Sequence, residues 1–113
     1  MSRLIAILIL MASLFAVGSA RAADISQVMA EYKANSSGFW ATYSGRTISV
    51  TGTVSAVYAS YVALGDARLF VVDCFANPGQ IGGLSPGRQV TATGTLSSML
   101  TGNGIELRPC SLQ

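Results

Sequence analysis

Histidine is absent from these 113 residues. Its absence removes the commonest general base, the commonest metal ligand and every Ser-His arrangement. No Cys-x-x-Cys occurs, so redox catalysis lacks its usual motif. Charge is sparse, with seven Lys plus Arg against five Asp plus Glu. The five carboxylates are scattered, and none can be nominated for the defined pair that a glycosidase requires. No glycine-rich phosphate loop opens a helix, because Gly82-Gly83 is followed by Leu84-Ser85-Pro86 and then a strand pattern. The chain is therefore expected not to be an enzyme and to need neither metal nor cofactor.

An uncharged, mostly apolar run, Leu4 to Val17, follows Met1-Ser2-Arg3 and leads into small residues ending Ala20-Arg21-Ala22. A run of about 14 residues is too short to span a bilayer comfortably, where about 20 are needed. Residues 1–22 read as a cleaved secretory signal and residues 23–113 as the mature chain, with a retained anchor as the rival. No Cys lies near the cleavage site to suggest lipid modification. The expected location is periplasmic or secreted, with no membrane span after cleavage. The formal charge of +2 comes from Arg3 and Arg21. The mature chain balances Lys33, Arg46, Arg68, Arg88 and Arg108 against Asp24, Glu31, Asp66, Asp73 and Glu106. Without a basic run there is little to release counterions from a phosphate backbone, which disfavours generic nucleic-acid binding.

What is left is enough for one small domain. A domain of this size buries only about 60–65% of its chain surface on folding, so a covalent staple helps. Cys74 and Cys110 supply one if the compartment is oxidising. Two free buried thiols are the alternative.

Asp24 and Gln27 form a capping-box variant. Ile25, Val28, Met29 and Tyr32 then fall on one face of an α-helix. Asn35-Ser36-Ser37-Gly38 ends that pattern. Phe39, Trp40 and Tyr43 follow in what reads as a connector that plugs one end of a core. From Arg46 the period changes to two. Ile48, Val50 and Val54 point inward and Thr47, Ser49, Thr51, Thr53 and Ser55 outward, with Gly52 marking a bend. The layout returns 42 positions later: Val90, Ala92 and Leu96 inward, the Thr/Ser set outward, Gly94 at the bend. Shorter strands are expected at Tyr61–Leu64, Leu69–Phe75 and Gly104–Pro109, with turns at Gly65-Asp66-Ala67 and at residues 101–104. Pro and Gly in Ala76–Gly87 allow nothing longer than one helical turn.

Each copy of the repeat is too short to fold alone. Two long strands, each kinked so as to serve two neighbours in succession, are what a small closed barrel requires. The expected fold is mainly β, a five-stranded OB-fold Greek-key barrel with one N-terminal amphipathic helix. In that topology the third and fifth strands run parallel and end together, which brings Cys74 to Cys110. An SH3-like barrel is the competitor, and it explains the pairing less readily.

With Tyr43-Ser44-Gly45-Arg46, Val50-Thr51-Gly52-Thr53-Val54, Cys74-Phe75, Val90-Thr91-Ala92-Thr93-Gly94 and Leu107–Cys110, the chain resembles the exported bacterial tRNA-anticodon-binding-like OB-fold domains over nearly all of residues 25–113. Arg46 and Arg88 stand where that family often has Lys. The resemblance implies a fold, not a ligand.

OB-folds commonly bind on the face of strands two and three. Tyr58, Tyr61, Arg68 and Phe70 are the candidate binding residues there. The plainer alternative is that Phe70 is core, the tyrosines pack the barrel end and Arg68 is solvated. The expected partner is an envelope protein or a small ligand. The rival is an oligonucleotide or oligosaccharide on the strand two–three face.

Overall fold

The computed structural model describes residues 22–100 and 103–113. The expected signal segment, apart from Ala22, lies outside the described residues, as do Thr101 and Gly102 of the second expected turn.

Helix α1, Ile25–Ala34, starts on a complete capping box. The Asp24 carboxylate accepts from the Ser26 N–H at 3.0 Å, and the Gln27 side chain accepts from the Asp24 N–H at 3.1 Å. The Ser26 hydroxyl, which also donates to the Asp24 carboxylate, and after it the Ser26 N–H hold the Asp24 carboxyl below its ordinary pKa. The expected stripe faces the core: Val28 and Tyr32 are buried, while Ile25 and Met29 pack against the core half-covered.

The connector expected around Phe39 is instead a second helix, α2, Ser36–Tyr43. Asn35 ends the first helix and caps the second, its side-chain oxygen accepting from the Gly38 N–H at 3.0 Å. Phe39 and Tyr43, one turn apart, are both buried, with ring centroids 4.9 Å apart. Two turns suffice because the core, rather than length, stabilises them.

Among the described residues six strands form one sheet, one more than expected. β1 (Ala23–Asp24) is followed by β2 (Thr47–Val57), β3 (Val62–Asp66), β4 (Phe70–Cys74), β5 (Gln89–Leu100) and β6 (Gly104–Leu112). The order is β1-β2-β3-β4-β6-β5, and β2 pairs with β5 as well, so five of the strands form a ring. Thr47–Thr53 of β2 pair with β5, and Val54–Val57 pair with β3. That switch leaves one edge of the first half of β2 open. The chain entering α1 fills it, with Ala23 opposite Val50 in parallel.

The alternation read from the sequence holds inside the ring: Ile48, Val50, Val54, Val90, Ala92 and Leu96 are buried. The bends fall slightly elsewhere than expected. In β2 the register slips between Val54 and Ala56, past Gly52. Gly52 serves instead as a seat for Ile25, whose side chain lies 3.4 Å from where a Cβ would stand. In β5 the slip follows Gly94 directly. A Cβ at Gly94 would meet the Pro109 carbonyl at 2.5 Å, so the two backbones touch there. Outside the ring, hydroxyls pair across β2 and β5, Ser49 with Thr93 at 2.8 Å and Thr51 with Thr91 at 3.0 Å.

β4 and β6 run parallel, Cys74 standing opposite Leu107. Cys74 and Cys110 are joined as a disulfide across 36 positions of sequence. Between β4 and β5 only one helical turn forms, α3, Pro78–Ile81, capped by Asn77 and anchored by buried Ile81.

Candidate ligand-binding face

The outward positions of β3, β4 and β6 line up in two rungs. Val62 and Leu64, Val72 and Cys74, and Ile105 and Leu107 point into the core. Strand alternation therefore turns Ala63, Asp73, Phe75, Glu106 and Arg108 to the other side. Ala63 stands opposite Asp73, and Asp73 opposite Glu106, giving an acidic rung.

The neighbouring rung is a stack. Tyr61 lies on Phe75 with centroids 4.7 Å apart and planes 24° apart. The Arg108 guanidinium covers the Phe75 ring at 3.8 Å from its centroid. The turn from β2 to β3 closes with the Tyr58 N–H donating to the Tyr61 carbonyl at 2.9 Å, which folds Tyr58 over Tyr61 at 4.5 Å and 22°. The result is a four-layer pile, Tyr58–Tyr61–Phe75–Arg108, ending in a Tyr58 that is 49% exposed. Near-parallel offset rings and a cation over a ring face are both favourable arrangements.

Its electrostatics come from the acidic rung. Glu106 is held: its carboxylate accepts from the Ser97 hydroxyl at 2.9 Å and lies 3.7 Å from the Arg108 Nε. Asp73 is half-buried, and among the described residues no cation stands within ion-pair distance of it. Burial, and after it the charge of Glu106, pushes the Asp73 carboxyl above its ordinary pKa. Tyr61 is pushed up as well, by burial and then by Asp73 and Tyr58.

Of the residues singled out in the sequence, the structure brings Tyr58 and Tyr61 together and separates the other two. Arg68 sits at the far end of β3, in the turn to β4. Its side chain is 90% exposed and lies 3.3 Å from Asp66, whose carboxyl the Arg68 backbone N–H holds below its ordinary pKa. Phe70 is a correction: it is 2% exposed, with its ring 5.2 Å from that of Tyr32. It shares parity with Cys74, four positions on, and so faces inward with it. Phe75, Arg108, Asp73 and Glu106 were not singled out. Parity against Cys74 marks Asp73 and Phe75 as outward, but nothing local links them to Arg108.

A second concavity, an open cleft of about 300 Å³, lies over the disulfide between Thr47, Thr93, Thr95, Pro109, Cys110 and Ser111. It holds no titratable side chain. Among the described residues no group of three His, Cys, Asp or Glu side chains could hold a metal ion, and no helix is long and apolar enough to cross a membrane.

No protein-family model matches the chain, so the resemblance to the anticodon-binding-like domains stays a likeness of motifs. No curated protein matches it either. Among solved structures, the chain is similar to one from Klebsiella pneumoniae described as a "putative nucleic acid-binding lipoprotein". The TM-score is 0.69 over 82% of this chain and 91% of that one, at 14% identity, a likeness of fold.

Proposed function

We propose that this chain is an exported, non-catalytic binding module built as an OB-fold Greek-key barrel, and that the outer face of β3, β4 and β6 receives its ligand. The barrel assignment draws support from strand order: β2-β3-β4-β6-β5 close a ring with β4 and β6 parallel, which is what an OB-fold would require. Export, to the periplasm or beyond the cell, is supported by a disulfide that an oxidising compartment would preserve. The observation that carries the binding role is the Tyr58–Tyr61–Phe75–Arg108 pile. A flat ring face at its open end and fixed charges beside it are means of recognition, whereas among the described residues none encloses the acidic rung to exclude water as acid–base chemistry requires.

A second reading is an oligonucleotide ligand, favoured by stacked rings that carry a guanidinium and by the description of the Klebsiella pneumoniae protein. Asp73 and Glu106 beside the rings oppose it. Titration of the isotope-labelled protein with single-stranded oligonucleotides, neutral oligosaccharides and charged peptides, followed by NMR, tests the role of the face. Whatever binds should move the ring resonances of Tyr58 and Tyr61, and Tyr61→Ala should weaken it while Arg68→Ala does not. A ligand that binds without disturbing those rings refutes the proposal. Salt dependence identifies a nucleic acid, whose affinity falls steeply as salt rises.

A further inference from the structure

We infer that the ligand of this face is a cationic segment of a partner protein, an extended stretch bearing Arg or Lys. The inference rests on the binding role proposed above and adds the chemistry of the occupant.

Asp73 and Glu106 stand opposite each other on parallel strands, about 4.8 Å apart at the backbone. Glu106 has Arg108 and Ser97 to offset its charge. Asp73 is half-buried beside it with no cation at ion-pair distance among the described residues. Two like charges in register are unfavourable for a sheet, and an arriving ammonium or guanidinium relieves the repulsion directly. A phosphate would add to it.

The rings point the same way. The face of an aromatic ring is its negative pole and attracts cations. The chain itself demonstrates this at one end of the pile, where the Arg108 guanidinium rests on Phe75 at 3.8 Å. At the other end Tyr58 is half-exposed, and no cation lies over its ring among the described residues. Charges within the two rungs are Asp73, Glu106 and Arg108, a net negative face beside the open ring of Tyr58. Small molecules generally occupy enclosed apolar pockets. Acid and ring spread over an outward sheet face suit an extended chain instead, one cation meeting Asp73 while a neighbouring side chain lies on the open face of Tyr58.

The test uses the purified protein and a tetra-arginine peptide, acetylated and amidated, followed by NMR, with spermine and a twelve-residue oligothymidylate as comparators. The peptide should move the Tyr58 and Tyr61 ring signals and the Asp73 amide. Asp73→Asn should weaken it about tenfold, the size of one partly desolvated charge contact. Asp66→Asn, at the far end of β3, should not. Spermine binding as tightly as the peptide overturns a protein segment as occupant. An unchanged affinity in Asp73→Asn overturns the charge argument. If the oligothymidylate moves the rings and the peptide does not, the cationic ligand is wrong and the binding face stands. If a probe binds and the rings stay unmoved, the face itself is wrong.

Discussion

Opening the Cys74–Cys110 bond should lower the melting temperature by about 20 °C, a magnitude that follows from where the two residues lie. The bond spans 36 positions. In the chain-entropy account, closing such a loop in the unfolded chain contributes about 4 kcal/mol. For a folded unit of about 90 residues, the unfolding entropy near 60 °C is about 190 cal/mol/K, so 4 kcal/mol corresponds to about 20 °C. Cys74 is fully buried and Cys110 nearly so, which makes two perturbations useful. Reduction after unfolding and refolding under reductant keeps both sulfurs and removes only the bond. The double replacement Cys74→Ala, Cys110→Ala also removes the sulfurs and should cost somewhat more through lost packing. Scanning calorimetry of the oxidised, reduced and doubly substituted proteins separates loop closure from packing. If the reduced wild type melts within about 5 °C of the oxidised protein, the loop-closure reasoning is wrong. Intact mass spectrometry supplies the control, since the oxidised chain must be lighter than the reduced by two hydrogens.

Gly94→Ala should destabilise the protein by about 2–4 kcal/mol in urea denaturation, because its methyl would overlap the Pro109 carbonyl and the Cys110 backbone, and neither can give way. Gly83→Ala, with nothing near the added carbon, serves as the near-neutral control. Phe70→Ala should cost about 3–5 kcal/mol of stability and leave the affinity of the outer face unchanged in protein that is still folded, as a core ring should. Asp73→Asn should raise stability at pH 7. The folded state holds the Asp73 proton more tightly than the unfolded one, so the stabilisation from that proton is complete below the ordinary aspartate pKa and lost as pH rises through the raised value. The gain from Asp73→Asn should accordingly vanish in acid. Asp24 and Asp66, whose pKa values are lowered, have the opposite sign, so the comparison must be wild type against variant at each pH. A variant no more stable than wild type at neutral pH would refute the electrostatic picture of the face.

Much of this architecture is local and could be read before any coordinates. The capping pair Asp24 and Gln27 and the Ile25–Val28–Met29–Tyr32 stripe specify α1 within their own few residues. The two-residue period around Gly52 and Gly94 specifies two long strands and which side of each is apolar. The second helix escaped notice because its eight residues carry only one strong apolar pair, Phe39 and Tyr43, and a cap that also ends the helix before it. The two-residue β1 escaped for a different reason: its place is an edge of β2 left open by the switch of partners from β5 to β3.

The sequence by itself determined the alternation, the helical stripe and, once a barrel order is assumed, the meeting of Cys74 with Cys110. Those follow from side-chain period and connectivity, which neighbouring residues dictate. Only the tertiary structure decided what lies on the outer face. Phe75 and Arg108 stand far apart in the chain and meet because β4 and β6 pair in parallel with one particular register, and the same register sets Asp73 beside Glu106. A one-residue slip of β6 against β4 would turn Glu106 and Arg108 to the other surface and separate them from Asp73 and Phe75. The aromatic pile and its acidic neighbour are thus properties of a long-range pairing that no short stretch of sequence encodes.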